Sequence, residues 1–139
     1  MSTKSFALLF SAWTVAVVAM LGSLFFSQVM EFVPCELCWY QRIAMYVLIL
    51  ITGGSGHYRS VFSYSISFAV IGWLIAVYHN LLHYEVIPET ASPCMEGVSC
   101  STVYIEWGGF ITIPILSLTS FSIIITLLLL LKRNIENEK

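Results

Sequence analysis

Charge is scarce in this chain. Only 10% of its 139 residues are Asp, Glu, Lys or Arg, and the formal net charge is −2. No basic run offers a surface to nucleic acid, and no acidic tail suggests a basic partner. Internal repeats and low-complexity segments are missing too, and the length suits one domain, 1–139. What fills the space is apolar: hydrophobic residues reach 58%, too many for an ordinary soluble surface. Long uncharged stretches account for the excess, so the expectation is an all-α membrane protein.

Four stretches read as membrane spans, at about 6–26, 38–54, 61–82 and 110–131. The first follows Lys4 as a signal peptide would. It outruns the usual apolar core of roughly 7–15 residues, and no small-x-small cleavage site follows before Glu31, so an uncleaved helix is expected. Ala12, Ala16, Ala19 and Gly22 offer a close helix contact. In the second stretch the strictly apolar part, Ile43 to Ile51, is too short to span alone, so Trp39 and Tyr40 fall at the interface and Arg42 lies shallow in the membrane. Gly53-Gly54-Ser55-Gly56 stops it, in a turn that also holds His57 and Arg59. Gly72 and Ala76 form a small-x-x-x-small pair in the third stretch, with His79 and Asn80 near its end. Pro88, Pro93 and Gly97 break the chain between His83 and Gly109, and Val103 to Phe110 reads as a short piece on the membrane surface. Pro114 suits the first turn of the last helix, and Lys132 and Arg133 are expected to end it before a polar tail.

The basic residues orient the bundle. With four spans, Lys4, Arg59, Lys132, Arg133 and Lys139 share one side, while Glu31, Glu36, Glu85, Glu89, Glu96 and Glu106 share the other. The positive-inside rule then places both termini in the cytoplasm. The reading is a four-transmembrane-helix up-down bundle in the plasma membrane, with two extracytoplasmic loops that each carry a cysteine pair. That is the compartment in which thiols become disulfides.

The chain's four cysteines carry the chemistry. Cys35 and Cys38 form a Cys-x-x-Cys pair at the start of an apolar helix; Cys94 and Cys100 bracket a small loop. In the first helical turn, unpaired backbone N–H groups favour the Cys38 thiolate. Arg42, four residues on, shares its helix face. Three readings stay open from the residues alone: two structural disulfides, a four-cysteine zinc site, or a redox centre. The redox reading gains from placement, with one pair on an outer loop within a protein's reach and the other at the membrane edge. Two such pairs in series can relay electrons by thiol–disulfide exchange, and a permanent acceptor requires a cofactor. In an apolar bundle the natural candidate for that cofactor is a quinone.

The run Cys35-Glu36-Leu37-Cys38-Trp39-Tyr40-Gln41-Arg42, preceded by Pro34, resembles the disulfide bond formation protein B (DsbB) family, and most closely its short Gram-positive-type members, called BdbC. Pro93-Cys94 to Cys100, followed by Trp107-Gly108-Gly109-Phe110-Ile111-Thr112-Ile113-Pro114, fits as well. The second-pair loop is much shorter here than in the longer members. The resemblance implies a quinone-dependent thiol oxidoreductase that reoxidises a secreted or membrane-anchored thioredoxin-like (DsbA/BdbD-like) disulfide donor. Cys94 would exchange with the partner's thiols, Cys100 with Cys35, and Cys38 would be the thiolate against the quinone. Arg42 would hold the quinone oxygen, and His79 matches a histidine that family members place near the quinone. Menaquinone is expected ahead of ubiquinone.

Blander readings accompany these. His79 and His83, at i and i+4, can be interfacial polar groups rather than metal ligands, and no metal is expected. Trp39 and Trp107 read as interface anchors, Glu36 as solvated, and Gln41 as a cap or a helix-facing residue. Two further functions stay in view: a thiol/quinone reductase like vitamin K epoxide reductase, and a non-enzymatic tetraspan scaffold with structural disulfides.

Overall fold

The computed structural model describes residues 2–54, 58–94, 99–101, 103, 108–109 and 111–138. Most of these belong to four helices: α1 (Thr3–Gln28), α2 (Glu36–Gly53), α3 (Tyr58–His83) and α4 (Ile113–Asn137), with a 3-10 turn at Glu89–Ala91. Ser55, Gly56 and His57 of the expected turn lie outside the described residues. So do Glu96, Glu106 and most of the expected surface segment, Trp107 included.

Three stretches, Thr3–Gln28, Arg59–His83 and Ile113–Asn137, are long and apolar enough to cross a bilayer. Helix α2 is not among them. Its 18 residues rise about 27 Å, just short of a ~30 Å hydrocarbon core, and they include Glu36 and Arg42. The helices pack in a closed ring, α1 on α2, α2 on α3, α3 on α4 and α4 back on α1. Side chains tie their ends in antiparallel fashion. Asn134 donates to Ser5 Oγ at 2.9 Å, joining the end of α4 to the start of α1. Asn80 donates to the Pro114 carbonyl at 3.0 Å, joining the end of α3 to the start of α4.

The packing is that of a bundle whose outside faces lipid. Phe6, Phe10, Leu21, Phe25, Leu50 and Leu74 are exposed, while Ala12, Ala16, Ala69 and Ala76 are buried. Small residues at the seams let the backbones approach. Gly72 is one such contact, because a Cβ there would overlap the Phe121 ring of α4. Gly22 is not: a Cβ there meets nothing within 4 Å, since it borders a cavity.

Several helix ends differ from the sequence expectation. Helix α2 begins at Glu36, with Cys35 as its N-cap, so Cys38 is the third helical residue. Helix α4 starts at Ile113, with Pro114 in its first turn, and runs on to Asn137 instead of stopping at Leu131. The polar tail continues it because Lys132 and Glu136 pair at 3.9 Å and Asn134 reaches Glu138 at 3.2 Å, both at helical i,i+4 spacing. Helix α3 ends at His83 with Glu85 in the left-handed region at φ 56° and Val86 N–H donating to the Leu81 carbonyl, a terminator that usually employs glycine.

Candidate functional site

Cys35 adopts an extended backbone ahead of α2 and makes no side-chain capping bond. Its sulfur turns to Cys38 instead, 3.2 Å away in a hydrogen bond. Cys35 is buried and Cys38 half-buried, both as free thiols. The hydrogen bond with Cys38 brings the Cys35 thiol down from 9.0 to about 4; His79 pulls the same way and burial opposes it. Sequence reasoning favours the Cys38 thiolate. In the dithiol, the lowered thiol is that of Cys35, the sulfur that faces His79.

The second pair is a disulfide, Cys94–Cys100, with Cα atoms 6.0 Å apart. It lies against the first. The sulfurs of Cys35, Cys94 and Cys100 are all within 4.8 Å of one another, and Cys35 and Cys100 pack with Leu37 and Leu82 in one apolar cluster. Hydrogen bonds hold the loop there. Glu89 accepts from Ser99 and Ser101, the neighbours of Cys100, and those bonds lower its carboxyl below the usual range. Tyr78 donates to the Ala91 carbonyl at 2.6 Å, and Ser92 Oγ accepts from Cys94 N–H at 3.0 Å.

Behind Cys35 stands His79 of α3, 3% exposed. Its Nε2 is 3.2 Å from the Cys100 carbonyl and 3.8 Å from Cys35 Sγ. Its Nδ1 is 3.2 Å from Gln41 Nε2, and Gln41 Oε1 accepts from Ser117 Oγ of α4 at 2.5 Å. Three helices and the loop thus converge on one imidazole.

On the other face of Cys38 a cavity of about 310 Å³ opens between α1, α2 and α4. Phe26, Phe32 and Leu116 make its walls apolar; Cys38, Gln41 and Arg42 supply polar groups along α2. Arg42 is buried and donates to Ser23 Oγ at 3.1 Å, the Ser23 carbonyl at 3.2 Å and Ser27 Oγ at 3.1 Å. Its guanidinium also lies 4.9 Å from the Trp39 ring centroid. The one ion pair among the described residues is Lys132–Glu136, so the partners of Arg42 among them are all neutral. A buried cation with no charged partner among the described residues, at the wall of an apolar cavity, suits a largely apolar molecule with an acceptor oxygen.

The six residues singled out from sequence therefore gather at one end of the bundle. Cys35, Cys38, Cys94, Cys100 and His79 form one group; Cys38 and Arg42 form the cavity edge. His79 borders a small pocket with Cys35, Cys38 and Cys100 and is absent from the lining of the large cavity. Sequence reading gave no weight to Ser117, Ser23, Ser27 or the Glu89 bonds, and little to Gln41. A glutamine beside a conspicuous arginine signals nothing until the helix's neighbours are known.

A family model described as disulfide bond formation protein DsbB matches residues 4–131. Disulfide bond formation protein C of Bacillus subtilis is 49% identical over 127 residues, covering 89% of this chain and 91% of its own. A probable disulfide formation protein of Oceanobacillus iheyensis is 41% identical over 141 positions, with 96% and 94% covered. Probable disulfide formation protein C of Halalkalibacterium halodurans is 43% identical over 135 residues, with 96% and 98% covered. No solved structure gives a significant match.

Proposed function

This chain belongs to the DsbB family of disulfide bond formation proteins, Gram-positive type, and is a quinone-dependent disulfide-forming oxidoreductase; we propose that its two cysteine pairs act in series. Residues 1–139 are taken as one unit of four spans in the plasma membrane, cysteine end outward. The partner is a thioredoxin-like, DsbA/BdbD-like oxidase outside the membrane.

The sequence of bonds balances. A thiolate of the reduced partner attacks Cys94 Sγ, the Cys94–Cys100 bond breaks, and Cys100 leaves as thiolate. Cys100 attacks Cys35 Sγ of an oxidised Cys35–Cys38 pair, and Cys38 leaves as thiolate at the cavity wall. The partner's second thiol then releases Cys94, which recloses on Cys100 and frees Cys35. One disulfide has been made in the partner, and two electrons rest on Cys35 and Cys38. Re-forming the Cys35–Cys38 bond discharges them.

A bound quinone supplies the acceptor of those two electrons and two protons. The cavity residues fit such a molecule: apolar walls for the ring and tail, and a fixed cation for a carbonyl oxygen. Arg42 would orient that oxygen and stabilise negative charge on it, while Cys38 borders the same space. We take menaquinone as the acceptor, in keeping with the Gram-positive-type kinship.

The observation that carries this reading is the reach of one atom. Cys35 Sγ hydrogen-bonds Cys38 Sγ at 3.2 Å and lies within 4.8 Å of both loop sulfurs, so relay needs no large movement. The test is a thiol titration of the fully reduced protein in detergent with a soluble menaquinone. Two equivalents of quinone should be reduced as four thiols disappear, and Cys38→Ser should abolish the reaction. Loss of thiols without quinone reduction would defeat the proposal.

A further inference from the structure

The hydrogen bonds around His79 fix where its proton sits. The Cys100 carbonyl can only accept, so the Nε2 facing it at 3.2 Å must donate. A neutral imidazole with its proton on Nε2 has a lone pair on Nδ1, and Gln41 Nε2, which can only donate, lies there at 3.2 Å. With the amide nitrogen towards the ring, Gln41 Oε1 is left to receive the Ser117 hydroxyl at the other end. The Cys100 carbonyl sets the tautomer, and the Gln41 amide as it stands matches it.

The tautomer matters because of what else surrounds Nε2. The ligand atoms of Cys35, Cys38 and His79 lie within 4.8 Å of one another. Two cysteines and a histidine at that separation form a ligand set for a soft divalent cation such as Zn²⁺ or Cd²⁺. Ligation requires a lone pair on the histidine nitrogen, and here that nitrogen carries a proton pointed at the Cys100 carbonyl and the Cys35 sulfur.

We propose that Gln41 is a positioning residue: its amide locks His79 as an Nε2–H donor, and so keeps the Cys35/Cys38 dithiol a redox centre instead of a metal site. A neutral amide serves where a carboxylate would fail. Glutamate at this position would accept from Nδ1–H, leave the lone pair on Nε2, and create the carboxylate–histidine arrangement that raises metal affinity. Ser117 extends the lock to α4, so the wall of the large cavity and the thiol chemistry share one hydrogen-bonded chain.

This rests on Cys35 and Cys38 being the working dithiol, yet its test does not involve turnover. The first measurement is the ¹⁵N spectrum of the histidine rings in the full-length reduced protein. His79 should show a protonated Nε2 and an unprotonated, hydrogen-bonded Nδ1. A protonated Nδ1, alone or in an imidazolium, would overturn the proposal even if no variant folds. The second is Cd²⁺ binding, read from thiolate-to-cadmium absorption in a chain carrying Cys94→Ser and Cys100→Ser so that only one pair can respond. Adding Gln41→Glu should tighten Cd²⁺ about 10- to 100-fold, the usual effect of such a partner, and Gln41→Leu should give less than that. Equal affinity with Gln41 and with Glu at this position would also overturn it. Failure of quinone reduction would sink the relay while leaving the tautomer untouched.

Discussion

Arg42 borders the cavity and Cys35 lies against the loop disulfide. Arg42 has its donors spread over Ser23 and Ser27, with no carboxylate among its described contacts, so its charge is free to act on whatever enters the cavity. A hydrogen bond from a charged group contributes about 1.5–3 kcal/mol, roughly 10- to 150-fold in rate or affinity. Arg42→Met should therefore weaken quinone use by about that factor in kcat/KM, while exchange between the loop pair and the partner protein stays within a few-fold of normal. Equal loss in both steps would mark a folding defect. Cys35 yields a pH prediction. Its thiol is lowered to about 4, first by the bond with Cys38 and then by His79, so it is ionised throughout the neutral range. Alkylation of Cys35 in the reduced protein should be nearly flat from pH 6 to 8, where an unperturbed thiol gains about tenfold per unit. The sign for stability follows: a depressed pKa stabilises the reduced fold increasingly as pH rises from about 4 towards 9, and that contribution is lost as pH falls through about 4. A tenfold-per-unit rise in alkylation would contradict the geometry.

At the scale of helices and loops, what positions the site is a set of terminations and one latch. The 3-10 turn Glu89–Ala91 presents Glu89 to Ser99 and Ser101, and so holds Cys100 against Cys35. Glu89→Ala should slow electron transfer from the loop pair to Cys35 and Cys38 several-fold while quinone oxidation of a pre-reduced Cys35/Cys38 pair proceeds normally; stopped-flow quinone absorbance separates the two. Seam packing gives a second test. Gly72→Ala pushes a methyl into the Phe121 ring, an overpacking that costs typically 1–3 kcal/mol, whereas Gly22→Ala points into open space. Thermal unfolding in detergent should therefore drop for the first and barely move for the second. Much of this scale was legible in advance: uncharged runs mark the helices, and Pro114 marks a first turn. Three features were not. Glutamates at positive φ, Glu31 and Glu85, stand where a reader looks for glycine. The tail of α4 is polar, so its helicity depends on i,i+4 pairs rather than burial. Gln41 and Ser117 are 76 positions apart, and only packing pairs them.

For the molecule as a whole, sequence specified which residues gather at each end of the bundle but not the ring order or the cavity. Both of the latter are properties of three or four helices at once, and no single helix's pattern encodes them. Sidedness is the remaining whole-molecule property, and charge supplies an expectation for it. Ser5 and Asn134 join the two chain ends at one end of the bundle, where Lys4, Arg59, Lys132 and Arg133 also fall; the cysteine end carries Glu31, Glu36, Glu85 and Glu89. Holding basic flanks in the cytoplasm is the strongest determinant of orientation, so the cysteines should face outward, where disulfides persist. Intact cells treated with a mild reductant and a membrane-impermeant maleimide should be labelled at Cys94 and Cys100. In a chain whose native cysteines are replaced by serine, a cysteine introduced by Asn137→Cys should react only after the membrane is permeabilised. The reverse pattern would put the relay in the reducing compartment, where the loop disulfide would be kept open and could not oxidise a partner.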